Sequence, residues 1–360
     1  MTTTTAPPSL VDAPPGRSGR SRLAPWLFLA PFLLTFAVFV LYPLVQSMVL
    51  ATQQTFGPRS AEFVGAGNFT YLLQDPQFWK AVTNTLIYAA GSVLLQLPCS
   101  LGLAMLLNRP SLRGRAFFRL IFFAPALVGL VFVAIIFALM FQKEQGLINV
   151  ALETLTGGWW DRETDWLGNP SFVMPALILS SLWMYTGFNM VYFLAALQNV
   201  DKTLLEAATV DGAGAWDKFV NVTLPAIKPV ASFVVLLSLV GSFQLFELPY
   251  LLLGNGSGPK QSGLTIVMYL YQTGFESSDL GYASAIGWAM AVMLGVFAVV
   301  QRLINRDEDD RGVSKPKTPA PAPRLAGTGP VSESDRSDVE PTDTQAAAAA
   351  TRNVSQPREF

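Results

Sequence analysis

Six apolar stretches, each long enough to cross a bilayer, dominate this chain: approximately Pro25–Val49, Asn84–Leu107, Phe118–Phe141, Phe172–Gln198, Val230–Leu253 and Tyr282–Ile304. Crossing the hydrocarbon layer takes a helix of about 20 mostly apolar residues. No soluble architecture needs six such segments. Hydrophobic residues make up 51% of the chain and charged ones only 14%, against roughly a quarter charged in a typical soluble domain. The expected fold is therefore an all-α integral membrane protein with about six transmembrane helices. Pro31, Pro43, Pro98, Pro125 and Gly129 fall inside the runs. Neighbouring helices can satisfy the backbone groups that proline frees, so bent, closely packed helices are expected rather than straight rods.

The basic residues orient the chain. Arg17, Arg20 and Arg22 precede the first run, and Arg109, Arg113, Arg115 and Arg119 link the second to the third. Lys202, Lys218 and Lys228 lie between the fourth and fifth, and Arg302, Arg306 and Arg311 follow the sixth. The other three links hold only Arg59, Lys80, Lys143, Arg162 and Lys260. The positive-inside rule makes the Lys/Arg-rich side cytoplasmic, together with both termini. The first run is too long for a secretory signal and has no clear small-residue cleavage site behind it, so it is read as a retained span.

Other residues exclude whole classes of chemistry. The chain has no histidine, which removes the commonest general base. Cys99 is the only cysteine and lies in the second run, so no disulfide forms within the chain. The segment Gly254–Lys260 resembles a phosphate loop only loosely. Pro259 stands where that loop needs glycine and Gln261 where it needs Ser or Thr. It reads as an outer turn. No internal repeat stands out. Trp159, Trp160 and Trp166 in the longest outer link read as markers of the membrane interface, or as a place to receive a partner protein. Residues 1–22, and those after about 306, have too few large apolar side chains to offset the entropy of folding, and are expected to be disordered cytoplasmic tails.

The informative cytoplasmic link is Ala196–Pro229, with its loop at about 199–229. Its length suits two short helices. Leu204, Leu205, Ala208 and Val210 form a stripe on the first, Gly212 and Gly214 supply a turn, and Trp216, Phe219 and Val220 face the second. Pro225 and Pro229 are expected to end that second helix and introduce the fifth span. The small surface around Glu206, Ala207 and Ala208 suits close approach by another protein. An ordinary amphipathic connector fits the same pattern.

The motif itself goes further. Glu206-Ala207-Ala208, then Asp211-Gly212-Ala213, then Leu224-Pro225, resembles the cytoplasmic coupling loop of permease subunits from binding-protein-dependent ABC importers. Asn68–Ala89, Gly114–Leu127 and Gly281–Gly287 are similar to the sugar-importing branch, near the maltose, glycerol-phosphate and multiple-sugar permeases. The resemblance covers about Leu23–Arg306 and makes residues 23–306 the permease domain. It implies a type I ABC importer permease fold. It also implies a second permease subunit, a dimer of ATPase subunits, an extracytoplasmic solute-binding protein and a sugar substrate, all in membrane lipid and without nucleic acid. ATP would be bound by the partner subunit, so the chain itself needs no cofactor and is not an enzyme. The eight motif residues would dock on the ATPase.

Polar side chains in a lipid-crossing helix normally face an interior cavity. The fourth run offers Ser181, Tyr185 and Asn189, and the fifth offers Ser242, Gln244 and Glu247. Carried over by resemblance, the sugar-contacting positions fall on Ser181, Tyr185, Phe188, Phe243, Gln244 and Glu247. Amides dominate in the maltose permease, and Glu247 departs furthest from that pattern. The competing reading of these groups is helix-to-helix hydrogen bonding. The competing function is an ion-coupled secondary transporter, for which Glu247 is almost the only mid-membrane ionisable candidate. The charge bias predicts that cysteines placed at Lys218 and Trp160, in a Cys99→Ser background, label oppositely with an impermeant thiol reagent in intact cells. Outside labelling at 218 would invert the topology.

Overall fold

The computed structural model describes residues 24–55 and 61–312, with side chains from Trp26 to Ile304. The expected tails, 1–22 and most of 307–360, lie outside the described residues. The described residues up to Asp309 form one compact unit. In chain order the helices are α1 (Trp26–Ala51), α2 (Gly67–Gln74), α3 (Pro76–Asn108), α4 (Arg115–Leu127), α5 (Leu130–Met140) and α6 (Leu147–Thr156). They continue with α7 (Pro170–Gln198), α8 (Lys202–Val210), α9 (Ala215–Phe243), α10 (Glu247–Leu252), α11 (Ile266–Tyr271) and α12 (Leu280–Gly312). A small antiparallel hairpin, β1 (Gln53–Thr55) with β2 (Ala61–Phe63), follows α1.

Five helices are long and apolar enough to cross a membrane, and α4 with α5 makes a sixth span broken by a 98° bend. Pro125 and Gly129 lie at that bend, where the sequence places a kink. Two expected boundaries move. The fifth span runs Ala215–Phe243, not Val230–Leu253, because the backbone leaves the helix at Gln244–Phe246 and restarts as α10. Pro225 and Pro229 do not end a loop helix, because α9 continues through both. At the other end α12 runs to Gly312, six residues into the expected tail, with no proline or glycine between Arg306 and Gly312 to stop it.

Three of the prolines are accommodated by one local device. A proline at position i lacks the N–H of an α-helical turn, and its ring collides with the carbonyl of residue i−4. Widened π turns cover Ala37–Leu41, Ser92–Gln96 and Phe219–Thr223. Each ends two residues before a proline, at Pro43, Pro98 and Pro225. The offending carbonyls (Phe39, Leu94, Asn221) are therefore the middle residues of the three π turns, where the ladder is already open. These helices bend without breaking.

α7 is the central post. Its first half joins α5 and α10 through Val133, Phe137, Val173, Leu177 and Leu248. Its second half joins α3 and α9 through Ala104, Met190, Phe193, Ile227 and Val234. A third cluster ties the start of α3 to α11 and α12 around Phe78, Ile266, Met268 and Ile286. By contrast, α1 is open along almost its whole length, and Ala51 is its one buried residue. An apolar helix in this state is covered by lipid or by another chain.

Polar ties fix the ends. Asp75 caps α3 by accepting from the Gln77 N–H at 2.9 Å. Its other oxygen accepts from the hydroxyls of Tyr269 at 2.5 Å and Tyr282 at 2.6 Å. In the outer link, buried Asn149 accepts from the indole N–H groups of Trp160 and Trp166 at 3.1 and 2.7 Å. Those two tryptophans are therefore not simple interface anchors, since their N–H groups found a buried partner. Only Trp159 stays exposed.

Gly187 allows the closest helix approach. A Cβ there would overlap the Phe122 carbonyl of α4. Gly187→Ala should therefore force α4 and α7 apart, at an overpacking cost of about 1–3 kcal/mol. The check is a lower melting temperature of the purified membrane protein, with Gly102→Ala, which meets open space, as control.

Candidate functional site

A cavity of about 400 Å³ opens among α3, α7 and the break between α9 and α10. That is within the usual range for a small-molecule site. α3 contributes Tyr88, Ser92 and Gln96, while α7 contributes Tyr185, Phe188 and Asn189. The end of α9 and the break contribute Ser238, Ser242, Gln244, Phe246 and Glu247. Glu247 is the one charged side chain among the lining residues. Aromatic faces and amides on one wall suit a ligand with an apolar ring face and many hydroxyls.

The cavity exists because α9 stops. Phe246 has φ −142° and ψ −57°, outside helical space. Irregular backbone at membrane depth is tolerated only where protein or a cavity satisfies it. Here the Thr265 hydroxyl donates to the Leu245 carbonyl at 2.6 Å. The segment bearing Thr265 is itself clamped to α3. The Asn84 amide donates to the Gln261 and Leu264 carbonyls at 2.9 Å each, and the Ile266 N–H donates to the Thr85 hydroxyl at 3.1 Å.

Of the six expected sugar contacts, Tyr185, Phe188, Gln244 and Glu247 line this one cavity. Ser181 does not. It is buried, and its hydroxyl donates to the Ile178 carbonyl within α7 at 2.9 Å. Phe243 does not either. It is fully buried against Phe297 in the cluster with Ile266 and Ile286, because the chain turns away just after it. Phe246, past the turn, faces the cavity in its place. Sequence reading also missed Tyr88, Ser92 and Gln96. Their spacing of four residues within an otherwise apolar run was the available signal, since it marks one helix face.

The expected coupling residues form an exposed elbow. Asp201 caps α8 by accepting from the Thr203 N–H at 2.8 Å, and that bond with the Thr203 hydroxyl holds its carboxyl below the usual carboxylate range. α8 carries Glu206, Ala207 and Ala208. It ends in paired closing bonds, Ala213 N–H to the Ala208 carbonyl at 2.9 Å and Gly212 N–H to the Thr209 carbonyl at 3.1 Å. This Schellman closure needs a left-handed residue, and Gly212 has φ +79°. Gly214 is extended and begins α9, its N–H donating to the Asp217 carboxylate at 3.1 Å.

Leu205 packs against the core, but other apolar residues of the loop stay open. Val210 is 88% exposed and Trp216 is 72% exposed, and Leu204 is open too. Leu224 and Pro225 lie apart from the elbow, within α9, about 15 Å further along at 1.5 Å per residue. There Pro225 follows the π turn.

Residues 96–308 match the family described as binding-protein-dependent transport system inner membrane component. The chain belongs to this family. Its curated relatives include the arabinooligosaccharides transport system permease protein of Bacillus subtilis, 39% identical over 280 residues, covering 78% of this chain and 87% of that one. The lactose transport system permease protein of Rhizobium radiobacter is 36% identical, covering 78% and 94%. The sn-glycerol-3-phosphate transport system permease protein of Yersinia pestis is 33% identical, covering 81% and 98%. A crystal structure of a bacterial ABC transporter that imports the acidic polysaccharide alginate matches with a TM-score of 0.69 at 25% identity, covering 80% of this chain and 96% of that one. The fold is that of an ABC importer permease, a multi-pass inner-membrane component.

Within this permease fold, the helix break is the feature most exposed to test. Thr265→Val keeps the shape but leaves the Leu245 carbonyl without its donor, a penalty of about 1–3 kcal/mol for a buried group. The expected outcome is a lower melting temperature than wild type, with Thr265→Ser close to wild type. Equal melting of the valine variant would show that the hydroxyl does not hold the break.

Proposed function

We propose that this chain is one transmembrane half of an ATP-driven importer that carries a sugar or related carbohydrate across the cytoplasmic membrane. In this reading the cavity is this chain's share of the sugar site. The observation that carries the reading is the cavity at the break in α9, with Tyr185, Phe188, Gln244 and Glu247 gathered around it. Half-helix ends and unwound backbone at such a break are a usual place for a transporter's substrate. Relatives named for arabinooligosaccharides and lactose support a carbohydrate.

The remaining machinery sits on other chains. A second permease subunit completes the pathway, and an extracytoplasmic solute-binding protein delivers the sugar. Support for that delivery comes from the alginate transporter solved in complex with a periplasmic protein carrying an alginate pentasaccharide. A pair of ATPase subunits binds ATP on the cytoplasmic side, where both termini of this chain also lie. The elbow Glu206–Ala213 docks on the ATPase through its small residues and its exposed Val210 and Leu204.

α9 connects the two sites as one member. From Ala215 at the elbow to Phe243 at the break it is a single helix of 29 residues, about 43 Å at 1.5 Å per residue. Movement of the elbow as the ATPases close is transmitted along this rod to Gln244–Glu247. There a change of angle opens or closes the cavity. Only the lining of the cavity needs to recognise the sugar, and only the elbow needs to recognise the ATPase.

The test measures uptake and ATP hydrolysis on the same proteoliposomes. Gly212→Val places a β-branched residue at a left-handed position, which is strongly disfavoured, and Ala207→Trp blocks close docking. Both should abolish uptake while the chain remains in the membrane. The complex should then shed its ATPase or lose stimulation of hydrolysis by the loaded binding protein. Gln244→Ala should keep assembly and basal hydrolysis and weaken uptake in a sugar-dependent way. Normal transport by the elbow variants, or transport with no ATPase present, rejects the importer and favours an ion-coupled carrier.

A further inference from the structure

We propose that Phe275, Tyr271, Tyr250 and Phe246 form a stacking track that leads saccharide rings from the Lys- and Arg-poor face of the protein into the cavity. The proposal rests on reading that cavity as the sugar site, and it adds to it an outer subsite for neutral sugar rings.

The four rings are in continuous contact. Phe275 stacks on Tyr271 with centroids 5.4 Å apart and planes 28° from parallel. Tyr271 meets Phe246 at 5.0 Å and Tyr250 at 5.6 Å. Phe246 and Tyr250 stack at 5.1 Å and 28°. All these spacings lie in the range of favourable aromatic pairs. Phe246 is on the cavity wall, between Gln244 and Glu247. At the far end Phe275 is 68% exposed, on the π turn Gln272–Glu276. Two ring spacings therefore separate a solvent-accessible ring from the cavity.

Burial alone does not account for the far end of this arrangement. Phe275 gains little from folding where it stands, and a polar residue would serve the turn as well. Tyr271 and Phe275 are four residues apart and share a face of the helix. A sugar ring presents C–H bonds on its flat side and hydroxyls around its edge. Its flat side gains from an aromatic face, and its edge keeps its water. Successive contacts of similar, modest strength let a ligand advance without being held, the requirement for any conducting path. Tyr250 and Tyr271 add hydroxyls beside the rings for edge contacts.

Aromatic side chains at this level of a membrane protein also serve as interfacial anchors in lipid, and the experiment separates the two. Phe275→Trp and Phe188→Trp place reporters at the outer end of the track and in the cavity. Each is read as a difference spectrum against the wild-type complex, assembled with its partner subunits in proteoliposomes. The probes are glucose, lactose, arabinobiose and maltotriose. The track predicts saturable emission changes at both reporters with at least one oligosaccharide. It also predicts that Phe275→Ala raises the half-saturating sugar concentration for transport roughly five- to tenfold, the scale of one aromatic contact. Melting temperature should be unchanged.

A response at 188 alone leaves the cavity as the sugar site and overturns the track. Silence at both overturns the cavity reading and the track with it. Quenching of Trp at 275 by brominated phosphatidylcholine, without any sugar response, assigns the ring to lipid and also overturns the track.

Discussion

A single hydroxyl on a single carbonyl sustains the functional half of this protein. In the bilayer, a backbone group that leaves its helix must find another partner or the segment will not stay open. At the end of α9 the partner is Thr265, donating to Leu245. Thr265 is held in turn by the Asn84 and Thr85 contacts from α3. Without that chain of bonds, the favourable course for the backbone is to remain helical past Phe243. The cavity would then fill with the continued helix. The polar side chains of Gln244 and Glu247 depend on the same break, since it turns them toward α3 and α7 instead of lipid.

The prolines follow the same logic at lower cost. A π turn is a partial break, one unpaired position rather than several, and each of the three stands where a proline would have removed the bond anyway. The consequences differ with location. In α3 the π turn Ser92–Gln96 coincides with the cavity wall and re-aims two polar residues into it. In α9 the turn Phe219–Thr223 joins the elbow to the span and keeps them one helix. A rigid connection between the elbow and the break needs that continuity, because two helices joined by a loop would dissipate a displacement.

The spans were legible because hydropathy over twenty residues is a strong signal, and the family because the loop's motif is long. The left-handed Gly212 followed from the need for a turn between two short helices. What hydropathy could not see was where a span stops. Leu245, Phe246 and Leu248 are as apolar as the residues before them, so the fifth span was read through the break to Leu253. Phe243 came from the resemblance, but the chain turns away just after it and Phe246 lines the cavity instead. Ser181 was misplaced for a different reason: a serine can satisfy itself on its own helix, as it does on Ile178, and composition does not reveal which serines do so. Ser92 and Gln96 give only a weak signal, two polar residues four apart in an otherwise apolar run. The exposure of Val210 and Trp216 was hidden because the same stripe that packs a connector inward also serves a docking surface.

The distance between the elbow and the cavity has a consequence for how such a protein changes. Two long helices join them: α7 carries Tyr185 and Phe188 and ends at Gln198 just before α8, and α9 runs from Ala215 to the break. A substitution at Gln244, Glu247 or Phe188 alters charge, hydrogen bonding or stacking in the cavity. It leaves the shape of the elbow untouched, since energetic coupling between sites this far apart needs a shared element that moves. The two helices supply that element without carrying chemical identity. Glu247 illustrates the freedom this gives. It is the one charged side chain lining the cavity at the break, so a substitution there changes the charge of that lining and nothing at the elbow. The elbow, where small residues and one left-handed glycine are fixed by the geometry of a tight turn, has no comparable freedom.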